Sequence, residues 1–324
     1  RRMPTLCRYV AQSGHSRSRV DPGSEFVRSG GAIEPNRVRG VEKAAVELLI
    51  CPHCGGELRE NGGSLICSRG HTMNIARQGY VSLLGRDSGT HTADSAEMVA
   101  ARERFLGAGH FQPLVDALVE EASGKPGPAG GESAVVDLGC GTGYYLASVL
   151  DALPESIGVG VDNSKFAARR AAKVHPRASA VVADIWDGLP IKDQAAGLIL
   201  NVFSPRNGEE IERILAPGGR LVVVTPQPGH LAGLIGRFGM ISVDPDKEER
   251  LERTLGPLAK AAGSRNLEWE MKLDRAAVRD LIQMGPSAGR MEEAEMESAL
   301  QALEEVTAVE AAVTVTTTSS EERQ

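Results

Sequence analysis

Three thiols and one imidazole, Cys51, Cys54, Cys67 and His71, stand in the order C-x2-C-x12-C-x3-H. That spacing lets two facing knuckles close one tetrahedral zinc site. Cys54-Gly-Gly and Ser68-Arg69-Gly70 read as turns on either side of a short strand at 65–67. The segment is too short and too polar to fold without such a staple, so the metal is expected to hold it together. Unliganded cysteines beside a stray His are the bland alternative. A catalytic zinc is the sharper one, but four protein ligands leave no open position, which favours a structural site. His53, inside the first knuckle, reads as solvent-facing rather than as a fifth ligand. The remaining cysteines are Cys7 and Cys140. An odd total with three clustered points to thiolate ligands in a reducing cytosol, not to a disulfide framework.

The chain of 324 residues is long enough for one large domain and a small one. A net charge of −7 gives no global nucleic-acid signature, although a local basic face suffices for RNA. No apolar run reaches the ~18 residues of a membrane span, so no membrane partner is expected and a cytoplasmic location is. Residues 1–40 carry eight Arg and no apolar periodicity. They read as a disordered leader or a cloning remnant, with an RNA-gripping arm as the functional alternative. The expected organisation is this leader, a zinc-binding RNA-recognition domain over 41–86, a helical linker over 87–130, and a catalytic domain over 131–324.

Within the linker, Met98, Arg102, Phe105 and Leu106 have helical spacing after Asp94-Ser95, and 111–122 forms a second amphipathic helix. From residue 133 strands and helices alternate: strands at 134–138, 157–162, 178–183, 196–203 and 221–225, with helices at 142–153, 165–175 and 209–215. This order implies an α/β fold with a parallel, doubly wound sheet. Strands at 269–273 and 311–318 bracket further helices and suit a late antiparallel edge.

The glycine loop Asp137-Leu138-Gly139-Cys140-Gly141-Thr142-Gly143 follows the first of these strands and opens a helix. Its glycines let the backbone approach a ligand, and the helix start supplies amide donors. Asp162 ends the next strand and is placed to accept both hydroxyls of a ribose. Tyr144 and Tyr145 stand where a nicotinamide site would want a small residue. The pattern D-x-G-x-G-x-G resembles motif I of class I S-adenosylmethionine-dependent methyltransferases. Against it stand a loop that only turns the chain, and NAD binding. Asp184, after the third strand, sits where such enzymes bond the adenine amino group; a turn-capping role is the alternative. Asn201-Val-Phe-Ser-Pro205-Arg206-Asn207 ends the fourth strand and should face the methyl acceptor, unless it is a plain Pro/Asn turn.

Taken together, these motifs resemble the RlmA/TlrB group of 23S rRNA guanine-N1 methyltransferases over residues 45–320. The knuckle, Ala76-Arg77-Gln78-Gly79-Tyr80-Val81, Ser95-Ala-Glu-Met98, Phe105-Leu106 with Gly109-His110-Phe111-Gln-Pro113, and Thr225-Pro226 with His230-Leu231 all carry the likeness. The segments 201–207 and Met284-Gly-Pro-Ser287 are closer to the branch that confers macrolide resistance. The resemblance implies a Rossmann-like methyltransferase domain and a small N-terminal zinc domain, with S-adenosylmethionine and structural Zn2+ as cofactors. It implies that Phe111, Gly141, Thr142 and His230 line the donor site. Phe111 departs from a family tyrosine, so the hydroxyl and its hydrogen bond are missing while ring packing is kept. The implied partner is 23S rRNA, and a homodimer is compatible with the likeness.

Guanine N1 is protonated at neutral pH and lies on the Watson–Crick edge. The base must therefore be unpaired, splayed out and relieved of that proton. Asn201 is the candidate to hydrogen-bond its edge; no residue is singled out as general base. Arg69, Arg77, Arg86, Arg102 and Arg104 are the candidates to grip RNA. Two other functions fit the motifs: a small-molecule methyltransferase, acting on an antibiotic or metabolite with the zinc lobe as a lid, and a non-catalytic RNA-binding module.

Overall fold

A computed structural model describes residues 37–38, 41–85, 93–124, 134–242, 253–256, 258 and 263–319. Of the expected leader, only Arg37–Val38 is included, and most of the expected hinge and breaker run also lies outside the described residues.

The N-terminal part is a small ribbon of short strands. Strands β1 (Arg37–Val38) and β2 (Val41–Glu42) pair antiparallel and lead into helix α1 (Lys43–Leu48). Strands β3 (Leu58–Asn61), β4 (Ser64–Cys67) and β5 (Thr72–Asn74) form an antiparallel three-stranded sheet. Strand β6 (Tyr80–Ser82) leaves this unit. Helices α2 (Ala96–Gly107) and α3 (Gln112–Ser123) follow, close to the two expected from their spacing. Ser95 caps α2 by accepting from the Met98 N–H.

The C-terminal part alternates as expected. It comprises β7 (Ala134–Leu138), α4 (Tyr144–Ala152), β8 (Ile157–Asp162), α5 (Lys165–Ala171), β9 (Ala178–Val182) and β10 (Ala196–Val202). After these come α6 (Gly208–Ile214), β11 (Leu215–Pro226), α7 (Ala232–Phe238) and β12 (Gly263–Asp274). Helices α8 (Arg275–Gln283) and α9 (Glu293–Gln301) then precede β13 (Val306–Ser319). The eight-stranded sheet runs β12-β13-β11-β10-β7-β8-β9-β6. Its centre is parallel, and β13 pairs antiparallel with both β11 and β12. Strand order reverses at the β7/β10 pair, so the crevice beyond their carboxyl ends is where a doubly wound sheet receives ligands.

The sheet buries both faces, and alternate residues serve different cores. Val135, Leu198, Leu200, Val222 and Val224 face α3, α4, α7, α8 and α9. Val136, Val159, Ile199, Leu221 and Val223 face α6 and the ribbon. Leu49, Leu65, Val81 and Leu83 of the ribbon belong to that second core. Strand β6 adds in parallel to β9, pairing Tyr80 with Ala180 and Ser82 with Val182. The Glu42 N–H donates to Ser179 Oγ at 2.8 Å, and Ile50 N–H donates to the Pro190 carbonyl at 3.0 Å. The ribbon is therefore sewn to the sheet edge and to one sheet face, a contact the local pattern of 41–86 does not reveal. The described residues all belong to one compact unit.

Candidate active site and metal centre

At the ribbon tip the four ligand atoms of Cys51, Cys54, Cys67 and His71 all lie within 4.8 Å of one another. Cys54 Sγ is 3.7 Å from Cys67 Sγ, and His71 Nδ1 is 3.4 Å from both Cys51 Sγ and Cys67 Sγ. Zinc bonds of about 2.3 Å to sulfur and 2.0–2.1 Å to nitrogen imply tetrahedral edges of about 3.8 Å (S–S) and about 3.6 Å (S–N). The donor set and its spacing thus fit Zn2+ with all four positions filled by protein. Burial pushes the Cys67 thiol up. Backbone N–H groups of Arg69 and His71, then the thiols of Cys54 and Cys51, outweigh it and bring it down to about 6. A thiol so placed gives up its proton readily to a metal. His53 is exposed and stacks edge-on with His71 at 5.3 Å, outside the ligand set.

The glycine loop links β7 to α4 at the switch point. Gly139 and Cys140 donate their N–H groups to the Val161 carbonyl at 2.8 and 3.0 Å. Gly143 caps α4 at φ +79, and a Cβ there would meet Val174 at 2.8 Å and Ala171 Cα at 3.1 Å. Only glycine meets both conditions. At Gly139 a Cβ would run into Ser204 Oγ, so the chain after β10 passes directly over the first glycine. Thr142 is buried within the loop.

Asp162 is the clamp of this loop. Its Oδ2 accepts from Gly141 N–H and its Oδ1 from Ser164 N–H, both at 2.8 Å. Burial nonetheless raises its carboxyl above the usual range. Asp137 is 1% exposed, and its Oδ2 has no partner among the described residues. Burial, then the nearby Asp162, pushes its carboxyl up to about 8. An orphaned acidic oxygen behind a glycine cradle suits a ligand with a cationic centre, as S-adenosylmethionine has. Asp184 is buried, and its Oδ1 accepts from Trp186 N–H at 3.0 Å. This is the turn contact that was the alternative to an adenine role, made by one of its two oxygens.

The raised Asp137 carboxyl has a pH signature. The folded state keeps a proton there that the unfolded chain, with a reference value of about 3.9, releases. This contribution to stability is therefore fully present below about pH 4 and declines as pH rises toward about 8. A cationic ligand favours the ionised form, so ligand affinity should rise over the same window, with proton release. Thermal melts and titration calorimetry across this range should show both slopes. In Asp137→Asn both should flatten; retained slopes would assign them to another group.

Other expected site residues take different places. Asn201 is wholly buried; its Nδ2 donates to the Pro205 carbonyl at 2.9 Å, and its Oδ1 accepts from Arg206 Nε at 3.0 Å. Both ends of its amide are engaged inside the protein, so Asn201 braces the post-β10 loop instead of presenting its amide to a base. Phe111 is 2% exposed and packs edge-on against Phe105, Phe203, His230 and Trp269 at 5.2–6.5 Å. His230 accepts from Ala312 N–H at Nδ1, 3.2 Å away, which leaves the proton of a neutral ring on Nε2.

Two of the arginines expected to grip RNA are committed elsewhere. Arg102 pairs with Asp94 at 2.6 Å, donates to the Met284 carbonyl at 2.7 Å, and lies 3.1 Å from where a Gly141 Cβ would stand. It packs on the glycine loop. Arg104 forks onto Asp280 of α8 with Nε–O distances of 2.9 and 3.2 Å. Arg86 lies outside the described residues. Arg69 and Arg77 are exposed on the ribbon, as is Arg59, which the sequence did not single out. A cavity of about 390 Å³ is lined by Tyr80 and Ser82 of β6 and by Asn163, Ser164 and Lys165 after β8.

Comparison with known proteins agrees with this geometry. The family described as "RlmA, N-terminal" matches residues 49–86, and "Methyltransferase domain" matches residues 135–219. The 23S rRNA (guanine(748)-N(1))-methyltransferase of Streptomyces fradiae is 45% identical over 276 residues, covering 85% of this chain and 98% of that protein. A putative 23S rRNA (guanine-N(1)-)-methyltransferase of Micromonospora griseorubida is 44% identical, covering 82% and 95% of the two chains. A putative enzyme of the same description from Bacillus subtilis is 34% identical, covering 74% and 86%.

Proposed function

The chain belongs to the RlmA-type family of 23S rRNA guanine-N1 methyltransferases, and from that premise we propose that its target is the guanine equivalent to position 748, the base named for its Streptomyces fradiae relative. The reaction is transfer of the S-adenosylmethionine methyl group to guanine N1. The observation that carries this reading is the union, on one chain, of a Cys3His ribbon with a class I donor loop, matched almost end to end by that relative. Closeness to the macrolide-resistance branch over 201–207 and 284–287 extends the proposal to macrolide resistance. A ribosomal substrate supports a cytoplasmic location. No helix among the described residues is long and apolar enough to cross a membrane.

In this reading Cys51, Cys54, Cys67 and His71 hold a structural zinc. Gly139, Gly141, Thr142 and Gly143 present the backbone to the donor, Asp162 fixes that loop and meets the ribose, and Asp184 turns toward the adenine. Phe111 and His230 form the wall behind the post-β10 loop. Bound S-adenosylmethionine supplies an already activated methyl group on sulfonium, so the protein needs no nucleophile of its own. The work left to these residues is alignment of the acceptor nitrogen with the S–CH3 bond and exclusion of water.

The test is methylation of 23S rRNA by purified protein with labelled donor, followed by mass mapping. N1-methylguanine at the 748-equivalent is expected; label elsewhere in the RNA overturns the position, and label only in small molecules overturns the substrate class. The ribbon's contribution is testable separately. Arg59, Arg69 and Arg77 are exposed cations near the zinc knuckles. Replacing Arg69 or Arg77 with Gln should weaken RNA binding and lower the salt slope by about 1 for each phosphate no longer neutralised. An unchanged slope would remove that arginine from the interface.

A further inference from the structure

The loop after β10 carries an aromatic ring and a cation that neither the donor site nor the metal centre employs. Phe203 follows the last residue of β10 with φ +54, a conformation disfavoured for a bulky side chain. It is 39% exposed. Behind it stands a packed network: Phe203 meets His230 at 5.8 Å and Phe111 at 6.2 Å, and Phe111 meets Trp269 at 5.2 Å. The chain has only six Phe and two Trp, and this network with Phe105 takes three of the former and one of the latter. Strain and scarce aromatics are concentrated to hold one ring outward at the carboxyl edge of the sheet.

Arg206 stands three residues on. Burial lowers its pKa, and its hydrogen-bond partners are neutral: Asn201 Oδ1 at 3.0 Å and the Ser204 carbonyl at 3.3 Å. Arg102, Arg104, Arg213 and Arg279 each have a carboxylate within salt-bridge distance; Arg206 has none among the described residues. A desolvated guanidinium with neutral neighbours is costly unless an electron-rich ligand completes it. Because Ser204 crosses over Gly139, the segment that carries ring and cation lies against the first glycine of the donor loop.

We propose that Phe203 and Arg206 form the acceptor clamp: Phe203 stacks on the extruded guanine, and the Arg206 guanidinium donates to its O6. The proposal rests on the guanine-N1 reading above and names the residues that would select and activate that base. In the reaction the N1 proton leaves to solvent, and the resulting negative charge is shared between N1 and O6. The N1 lone pair then forms the new N–CH3 bond while the S–CH3 bond breaks, its electron pair staying on sulfur as the neutral thioether. A cation at O6 stabilises the deprotonated base before transfer. It also disfavours adenine, whose 6-amino group would set donor against donor. Asn201 is a positioning residue: it holds Nε while Nη2 donates to the Ser204 carbonyl, which leaves Nη1 as the donor for the base.

The experiment measures single-turnover methylation of a 23S rRNA hairpin against pH, with donor affinity measured by calorimetry for each variant. Arg206→Ala is expected to lose about 100- to 1000-fold in rate near neutral pH. Its pH–rate profile should shift upward, so that the deficit narrows at high pH, with donor affinity retained; Arg206→Lys should fall between. Phe203→Leu should lose roughly ten- to hundredfold, the usual worth of one base stack, and Phe203→Trp should recover most of it. An unshifted profile in Arg206→Ala, loss of donor binding by that variant, or full activity of Phe203→Leu would overturn the clamp. Wild-type protein that places no methyl on guanine N1 would instead overturn the reading beneath it. Wild-type activity with indifferent variants would overturn the clamp alone.

Discussion

Cys67→Ser is expected to abolish RNA methylation and to lower the thermal midpoint of the whole protein, not only of the ribbon. Structural zinc typically contributes about 10–16 kcal/mol of apparent binding free energy to the fold it closes. That matches the entire ~5–15 kcal/mol net stability of an ordinary domain. In this protein the ribbon does not unfold in isolation. Leu49, Leu65, Val81 and Leu83 share a core with Val136 and Val159 of the central sheet, and β6 completes the edge beside β9. Losing the metal therefore exposes one sheet face and one strand edge.

The donor loop is anchored elsewhere, by Val161 and Asp162 of β8. Its link toward the ribbon side is Ser164 Oγ, which donates to the Asp94 carbonyl at 2.7 Å. Donor affinity should consequently weaken by less than about tenfold, or about 1.4 kcal/mol, while RNA methylation disappears. Calorimetry and melts on verified metal-free protein check both. Native-like melting with retained RNA activity would contradict the structural role.

Asp162→Ala is expected to reduce S-adenosylmethionine affinity by about two to four orders of magnitude. The carboxylate makes two hydrogen bonds at 2.8 Å, one to Gly141 of the glycine loop and one to Ser164 at the start of α5. Charge-assisted bonds are worth about 1.5–3 kcal/mol each, and their loss leaves two amides at the loop without partners. Part of that cost appears as lower stability, because Gly141 is released from β8; the rest appears as lost affinity, because the ribose acceptor goes too. Asp162→Asn separates the two, since one amide oxygen still accepts from one N–H. It should melt between wild type and Asp162→Ala, because its amide nitrogen is set against the other N–H, yet bind the donor poorly. Near-native donor affinity in both variants would remove Asp162 from the donor site.

Much of this was open to inspection in the linear order of residues. The strands at 134–138 and 157–162 are short, mostly apolar runs, each carrying one aspartate near its carboxyl end, and a βαβ unit built from them is right-handed. The ligand spacing of Cys51, Cys54, Cys67 and His71 reports a local loop closure, and local closures depend on few residues. The antiparallel edge at the C-terminus was visible as the alternating stretch Trp269-Glu-Met-Lys-Leu273 and the β-branched run at 311–318. That β13 lies between β11 and β12 is a matter of topology.

The opposite holds for Asn201, Arg102 and Arg206. Each is polar and lies near a motif, and sequence position alone suggested that Asn201 faces the base and Arg102 the RNA. Arg102 depends on a partner far along the chain, Met284; Asn201 and Arg206, five positions apart, meet through the backbone path of the loop, which includes the left-handed turn at Phe203. The same applies to β6, whose three residues show no sign of pairing with a strand about a hundred positions later. Hydrophobic period, turn chemistry and ligand spacing act over a few residues, so the order of amino acids is enough to announce the ribbon, the donor loop and the sheet that carries it. Which buried polar group meets a substrate and which only braces its neighbour is settled by desolvation and by partners brought together through folding, and these act between residues that only the folded chain makes adjacent.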